Sequence, residues 1–323
     1  MIPIEQSSRR TALLALGGLP ALRARADSEA WRGVFTLMAT PYKPDRSLDL
    51  EDLAREVDFL ARCGVTGAVW PQISSEYQHL SREERIEGMR TLARKRSAGG
   101  PKIILGVQGK DTDEALAYAR LAEELAVDGM ISMPPGDATS TARLERYFAA
   151  LAEVTKRPFI MQTSGGPPGV EPTIALIVAT ARKHPNFCYL KEEYPPVQAR
   201  MRELLKHCPP LKGVFGGSGG QHFLHEMRFG SHGTVVGAPY ADIYVSLWQL
   251  YQRKREREAR ELFSKLMLMV TVEQQIPLTR PYIMMKRGVF KTALSRQHRM
   301  ELTARAIEEI EFNFEPLKRH LKV

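Results

Sequence analysis

The sequence predicts a single closed (β/α)8 TIM barrel with a C-terminal helical extension. Eight short apolar runs alternate with longer amphipathic segments between residues 34 and 238, and the pattern after residue 240 is wholly helical. The short runs are rich in Val, Ile and Phe without strict polar alternation, which is typical of strands buried on both faces of a parallel sheet. Eight successive strand–helix repeats favour a closed barrel over an open doubly wound sheet.

The predicted strands are, in chain order, VFTLMA (34–39), TGAVW (66–70), KIILGV (102–107), DGMISM (128–133), PFIMQ (158–162), FCYLK (187–191), KGVFG (212–216) and GTVVGA (233–238). The helices between them have apolar residues at spacings of three and four. Gly64 is the predicted C-cap of the first helix, and Thr112 is the predicted N-cap of the third. We therefore assign residues 27–240 to the barrel and residues 241–323 to its last helix and a helical extension.

Composition limits the classes of function. The chain has 323 residues, 43% of them apolar, and no apolar run long enough to predict a membrane span. Its net charge of +9 does not predict nucleic-acid binding, because basic and acidic residues are interleaved, as in residues 253–258. The pattern predicts a solvated helix face there.

We expect no cofactor and no metal ion. The cysteines Cys63, Cys188 and Cys208 lack the spacing of a zinc site and the even number of a disulfide framework. His222 and His225 lie three residues apart, but no third ligand is close to them in the sequence. No GxGxxG motif follows the first strand, which argues against dinucleotide binding.

The N-terminus has the pattern of an export signal. Arg9 and Arg10 precede an apolar stretch (12–22) and a small-x-small triplet (24–26), which predicts a twin-arginine signal over residues 1–26. The protein would then be periplasmic or otherwise exported. The alternative is an N-terminal helix that packs on the body of a cytoplasmic protein.

The candidate catalytic residue is Lys191, at the end of the sixth predicted strand. Strand alternation would place Phe187, Tyr189 and Lys191 on one face, with the amine at the carboxyl end of the barrel, where barrel enzymes have their active sites. Partial desolvation there would favour a neutral, nucleophilic amine. The alternative is a solvated lysine that pairs with Glu192 or Glu193.

Four segments resemble the dihydrodipicolinate synthase and N-acetylneuraminate lyase family in order and spacing. They are ATPY (39–42), SSEYQHLSREER (74–85), YLKEE (189–193) and GVFGGSGG (213–220). The resemblance extends from about Gly33 to the C-terminus. It implies a barrel enzyme that acts, like class I aldolases, through a Schiff base with pyruvate or a related 2-oxo acid, and that forms a dimer or tetramer.

By this resemblance Lys191 is the Schiff-base lysine. The enzyme would cleave or form the adjacent C–C bond, or remove water from a sugar acid. The resemblance also implies substrate-binding residues in the loops after the first, second and seventh strands, namely Thr40, Ser74, Ser75, Gly216 and Gly217. Ser74 stands at the family's second threonine and retains a hydroxyl group.

The fifth strand departs from the family pattern. Gln162 stands where the family has the tyrosine that relays protons, and a glutamine can orient a carbonyl or a water but cannot exchange a proton near neutral pH. We nevertheless include Gln162 with Lys191 and Ser74 in the candidate catalytic set. The relay would fall to Ser74 through a water, to the substrate's own carboxylate, or to Glu193.

Two further departures bear on the reaction. Gly136 follows the fourth strand where the synthase has tyrosines, and Pro167 stands near the position of the arginine that holds the second substrate. Both argue against the lysine-biosynthetic condensation. The alternative to an enzyme is a non-catalytic, extracytoplasmic binder of a 2-oxo acid or sugar acid.

Overall fold

The computed structural model describes residues 30–323. Eight parallel strands pair in sequential order, and the eighth closes the barrel against the first, as predicted. The strands are β1 (Gly33–Leu37), β2 (Gly67–Trp70), β3 (Lys102–Gly106), β4 (Gly129–Ser132), β5 (Phe159–Gln162), β6 (Tyr189–Lys191), β7 (Gly213–Gly216) and β8 (Gly233–Gly237). The predicted export signal lies outside the described residues.

Eight helices follow the strands, and three more complete the chain. The barrel helices are α1 (Leu50–Cys63), α2 (Arg82–Arg94), α3 (Thr112–Glu124), α4 (Thr141–Val154), α5 (Ile174–Lys183), α6 (Val197–Leu205), α7 (Phe223–Phe229) and α8 (Ala241–Gln252). The C-terminal helices are α9 (Glu256–Gln275), α10 (Thr279–Lys286) and α11 (Ala304–Lys318). No helix within residues 30–323 has the length and apolar character needed to cross a bilayer.

Helix caps show where local sequence decides the fold. Gly64 ends α1 in the left-handed conformation, with φ of 79°, as predicted. The predicted N-cap of α3 is wrong by one residue. The carboxylate of Asp111 accepts the backbone N–H of Glu114, whereas Thr112 is already the first helical residue.

The barrel interior contains an aromatic layer below the strand ends. Tyr189 stacks on Trp31 with ring centroids 4.5 Å apart, and its hydroxyl oxygen accepts the backbone N–H of Trp31 at 2.9 Å. The predicted common face of Phe187 and Tyr189 is wrong, because β6 begins only at Tyr189. Phe187 instead packs between the barrel and its helices, where it stacks on Phe159 at 4.0 Å.

The prediction that the C-terminal extension is wholly helical is wrong. Residues 287–303, between α10 and α11, are irregular and contact the carboxyl end of the barrel. The backbone N–H of Lys291 donates to Asp52 at 2.7 Å, and the guanidinium of Arg296 forms an ion pair with Glu84. This segment therefore forms part of the wall above the strand ends.

Candidate active site

Lys191 is the last residue of β6 and is only 3% exposed. Its Nζ lies 2.9 Å from Oε2 of Glu193 and donates to Oε1 of Gln162 at 3.2 Å. The two alternatives raised by the sequence are thus combined in the structure. The amine is buried in the mouth of the barrel, and it is also paired with a glutamate.

The amine faces a cavity of about 370 Å³ at the carboxyl ends of the strands. The cavity brings together the three candidate catalytic residues, although they belong to three separate parts of the chain. Its polar lining includes Ser74, Gln162, Lys191, Glu193, Arg280 and Gln297.

Glu193 is held in place by hydrogen bonds to both carboxylate oxygens. Oε2 accepts from Ser164 Oγ at 2.7 Å as well as from Lys191, and Oε1 accepts the backbone N–H of Ser218 at 2.5 Å. Burial alone would raise the pKa of Glu193, but attraction to Lys191 and these hydrogen bonds keep it below its ordinary value. Glu193 is therefore an ionised proton acceptor in contact with the amine.

Gln162 occupies the position of the missing tyrosine and is fixed by its neighbours. While Oε1 accepts from Lys191, Nε2 donates to the carbonyl oxygen and to Oγ of Ser164, each at 3.3 Å. The amide orients the lysine and the serine but has no proton to transfer near neutral pH. Of the groups within residues 30–323 that contact Lys191 Nζ, Glu193 is the one that can exchange a proton.

The hydroxyl groups of the other candidate residues differ in availability. Ser74 Oγ is buried and has no hydrogen-bond partner in the described part of the chain. Ser75 is turned away from the cavity, because its hydroxyl donates to the carbonyl of Met38 at 2.5 Å. Thr40 donates to the carbonyl of Ser75 and accepts from Trp70 Nε1 at 3.1 Å. Ser75 and Thr40 therefore brace the loop, and Ser74 is the hydroxyl that remains available.

Gly216 and Gly217 do not line the cavity. A Cβ atom on Gly216 would lie 1.8 Å from Oε2 of Glu226, and one on Gly217 would lie 2.2 Å from Oε1 of Glu193. Real side chains do not approach so closely, so both glycines make room for a carboxyl group from another element. The structure places them beside the site rather than in contact with its cavity.

Glu226, on α7, is a second buried carboxyl group near the site. Neither of its oxygens has a hydrogen-bond partner among the residues that the structure describes. Burial, and then the negative charge of Glu193, raise the pKa of Glu226 to about 8. At neutral pH Glu226 is therefore protonated and uncharged, whereas Glu193 is ionised.

The C-terminal extension supplies the opposite wall of the cavity. Arg280 of α10 and Gln297 of the irregular segment line both the Lys191 cavity and an adjacent cavity of about 260 Å³. Thr40 and Ser74 also line the adjacent cavity. The sequence does not predict Arg280 and Gln297 at the site, because nothing in the local pattern directs residues of a helical extension to it.

Glu76 attaches this wall to the barrel. Its Oε2 accepts the backbone N–H groups of Arg296 at 2.9 Å and Gln297 at 3.1 Å, and the hydroxyl of Tyr42 at 3.3 Å. The two backbone N–H groups that Glu76 binds belong to the C-terminal segment and not to its own loop.

The structure shows no metal centre within the range it describes. Residues 30–323 contain no group of three or more His, Cys, Asp or Glu side chains that could hold a metal ion. His222 and His225 therefore belong to no such group.

Comparison with known proteins identifies relatives over most of the chain. The model of the dihydrodipicolinate synthetase family matches residues 30–312. An uncharacterized DapA-like lyase from Thermofilum pendens is 26% identical over 258 residues, covering 76% of this chain and 82% of the relative. A 4-hydroxy-tetrahydrodipicolinate synthase from Laribacter hongkongensis is 29% identical over 204 residues, covering 63% of this chain and 69% of the relative.

Solved structures share the fold at lower sequence identity. Dihydrodipicolinate synthase from Rhodopseudomonas palustris has a TM-score of 0.78 and 22% identity, covering 88% of this chain and 97% of that one. YagE, a family member from E. coli K12 solved in complex with pyruvate, has a TM-score of 0.79 and 20% identity, covering 89% and 98%. These likenesses support the barrel with its C-terminal helices.

Proposed function

The chain belongs to the dihydrodipicolinate synthetase family, and on that premise we propose that it is a lyase that forms a Schiff base between Lys191 and a 2-oxo acid. One observation carries the proposal. A buried lysine at the carboxyl end of β6 faces a cavity of about 370 Å³, with an ionised carboxylate 2.9 Å from its amine. A protonated amine must lose a proton before it can attack a carbonyl, and Glu193 is placed to accept it.

The reaction begins with proton transfer from the Lys191 ammonium to Glu193. The neutral amine attacks the C2 carbonyl of the substrate and forms a carbinolamine. Glu193 returns the proton to the hydroxyl group of the carbinolamine, which is lost as water, and a protonated imine remains. Glu193 then removes the proton of the C4 hydroxyl, the bond from C3 to C4 breaks, and the C4 fragment leaves as an aldehyde. The electron pair of the broken bond passes to the protonated imine, which gives an enamine. Protonation of the enamine at C3, followed by hydrolysis, releases the product and restores the lysine.

In this scheme Glu193 performs the proton transfers for which the family uses the strand-five tyrosine. Its carboxylate contacts the reacting nitrogen, and Ser164 and the Ser218 backbone hold it there. Ser74, whose hydroxyl has no partner within residues 30–323, would donate to the C1 carboxylate of the substrate. Gln162 would keep the lysine directed towards the carbonyl carbon.

Hydrogen exchange on pyruvate tests this function separately from binding. An enzyme that forms the enamine reversibly will exchange the methyl protons of pyruvate with solvent deuterium, which NMR detects. We also expect release of pyruvate from 4-hydroxy-2-oxo acids, measured with a coupled lactate dehydrogenase assay. Saturable binding of pyruvate with neither exchange nor cleavage would contradict the proposal that the protein is an enzyme. It would support the alternative of a non-catalytic binding protein.

We further propose that the protein is not the lysine-biosynthetic synthase. That reaction needs a proton relay and a cation that are positioned for the second substrate, and the family positions are Gln162, Gly136 and Pro167 here. Glu193 and Arg280 carry such groups on other elements, so they do not reproduce the family's positions, and a displacement of about 1 Å can cost about 10²-fold in rate. A coupled assay with pyruvate and aspartate semialdehyde should therefore give no more than trace turnover. Turnover near the enzyme median of about 10 per second would contradict the proposal.

We also propose that residues 1–26 direct export. The twin arginine and the small-x-small triplet before Asp27 support this proposal. N-terminal sequencing of the protein isolated from its native host should begin at Asp27 in the exported fraction. Recovery of the chain from the cytoplasm with Met1 or Ile2 at its N-terminus would contradict export.

A further inference from the structure

A second cation faces the Lys191 cavity from the C-terminal wall. Arg280, at the start of α10, donates from Nε to the carboxylate of Glu273 on α9. This is the one hydrogen bond of its side chain in the described range, so the terminal amino groups of the guanidinium remain available. The side chain is 29% exposed and lines both cavities, which makes it accessible to a ligand.

The structure keeps this guanidinium charged and in position. Burial alone would lower the pKa of Arg280, but the charge of Glu273 outweighs burial and raises it above its ordinary value. The guanidinium lies beside the end of β8, because a Cβ atom on Gly237 would be in ordinary van der Waals contact with Arg280 Nε, at 3.5 Å. A guanidinium held through Nε still presents its two terminal amino groups as a fork that matches a carboxylate.

We propose that Arg280 binds a second anionic group of the substrate, at the end remote from the 2-oxo acid group. The substrate class would then be a dianionic 2-oxo acid, such as a 2-oxo dicarboxylate. The inference rests on the proposed function, in which Lys191 and Ser74 engage the 2-oxo acid end. The adjacent cavity of about 260 Å³, which shares Arg280 with the Lys191 cavity, provides space for a longer chain.

The family resemblance places the cation for a second carboxylate near Pro167, where this chain has no charge. Arg280 supplies a guanidinium to the same cavity from a different element. A neutral hydroxyl group could also accept from Arg280, but a carboxylate would gain two charge-assisted hydrogen bonds. The charge of Arg280 therefore favours an anion over a sugar hydroxyl.

The test compares acids of equal chain length with and without the second carboxylate. Borohydride trapping on the full-length protein would be measured against the concentration of 2-oxoglutarate, 2-oxopentanoate and pyruvate. We expect 2-oxoglutarate to reach half-saturation at a concentration roughly tenfold or more below that of 2-oxopentanoate. A charge-assisted hydrogen bond contributes enough for about a 10- to 100-fold difference. Equal half-saturation of the two acids would overturn the inference.

Arg280→Gln should raise the half-saturating concentration of 2-oxoglutarate about tenfold more than that of pyruvate. Arg280→Lys keeps the charge but cannot form the fork, so its half-saturating concentration of 2-oxoglutarate should lie between those of the wild type and Arg280→Gln. It also provides a second variant if Arg280→Gln does not fold. An equal increase for all three acids would overturn the inference, because Arg280 would then bind the carboxylate common to them.

The inference and the proposed function fail in different ways. If no acid is trapped, the Schiff base is contradicted, and calorimetric binding of 2-oxoglutarate and 2-oxopentanoate to the wild type and Arg280→Gln still tests Arg280. Preference for the dianion that is lost in the variant would support the arginine site without a Schiff base. Absence of that preference in the wild type would overturn it.

Discussion

The two sides of the cavity carry similar ion pairs with different chemical capacities. On the strand side, Lys191 and Glu193 are 2.9 Å apart and nearly buried, whereas on the helical side Arg280 pairs with Glu273 and is 29% exposed. An amine can release its proton and become a nucleophile, but a guanidinium remains protonated in proteins. The comparison therefore separates a covalent function on the strand side from an electrostatic function on the helical side.

Removal of the nucleophile should have the largest effect. Lys191→Arg keeps the positive charge beside Glu193 but cannot attack a carbonyl, so exchange of the pyruvate methyl protons should fall to background in the NMR assay. Lys206→Arg is the matched control, since Lys206 is an exposed lysine that also pairs with a glutamate. If Lys191→Arg exchanged the pyruvate protons at the rate of the wild type, the strand side would have no covalent function that distinguishes it from the helical side.

Loss of the strand-side carboxylate should have the next largest effect. Glu193→Gln retains the shape of the side chain but cannot accept the proton of Lys191, so the exchange rate should fall about 10²- to 10⁴-fold. Because its folded-state pKa is lowered, Glu193 should remain an active base until the pH falls below the ordinary value of 4.5. Glu203→Gln, at an exposed ion pair, is the control. A decrease in the exchange rate of less than about threefold would indicate that Ser74 or the substrate carboxylate, and not Glu193, relays the proton.

A methyl group beside Glu193 should have a smaller effect on the same side. In Gly217→Ala the new Cβ would lie 2.2 Å from Oε1 of Glu193, so the carboxylate must move. Displacement of a catalytic group should lower the exchange rate by about ten- to a hundredfold. Gly136→Ala is the control, because a Cβ there meets nothing within 4 Å. Equal rates in the two variants would show that the position of Glu193 is unimportant.

The smallest effect on exchange is expected at Glu226, which should alter stability instead. Its pKa of about 8 in the folded state lies above the ordinary value of 4.5, so the folded state binds the extra proton between these values. The associated stability is complete below pH 4.5 and is lost as the pH rises through 8. Glu226→Gln should therefore melt a few degrees above the wild type at pH 9, with little difference at pH 4.5. A pH-independent difference in melting temperature would contradict this.

The sequence identifies the strand side because each of its residues has a local signal. Lys191 and Gln162 end predicted strands, and Ser74 belongs to a loop motif after another. Parallel strands of a barrel have their carboxyl ends at the same edge, so separate local signals converge on one place. The fold and the meeting of these three residues were predictable for this reason.

The helical side was not predictable in the same way. Arg280 and Gln297 reach the cavity because α10 begins beside Gly237 at the end of β8 and because Glu76 binds the backbone of residues 296 and 297. These are long-range contacts with no periodic pattern. The packing of Gly216 and Gly217 also depends on long-range contacts, because these glycines make room for Glu226 and Glu193, which come from other elements. Their predicted role in substrate binding stays a prediction.

Borohydride reduction of the intact protein in the presence of pyruvate, followed by mass spectrometry, tests directly whether Lys191 forms a Schiff base. We expect one adduct, with the mass of pyruvate less one water plus two hydrogens, on the peptide that contains Lys191. Lys191→Arg should give no adduct. An unchanged mass with pyruvate and with a panel of sugar-derived 2-oxo acids, or an adduct on a different lysine, would contradict the claim that Lys191 forms the Schiff base.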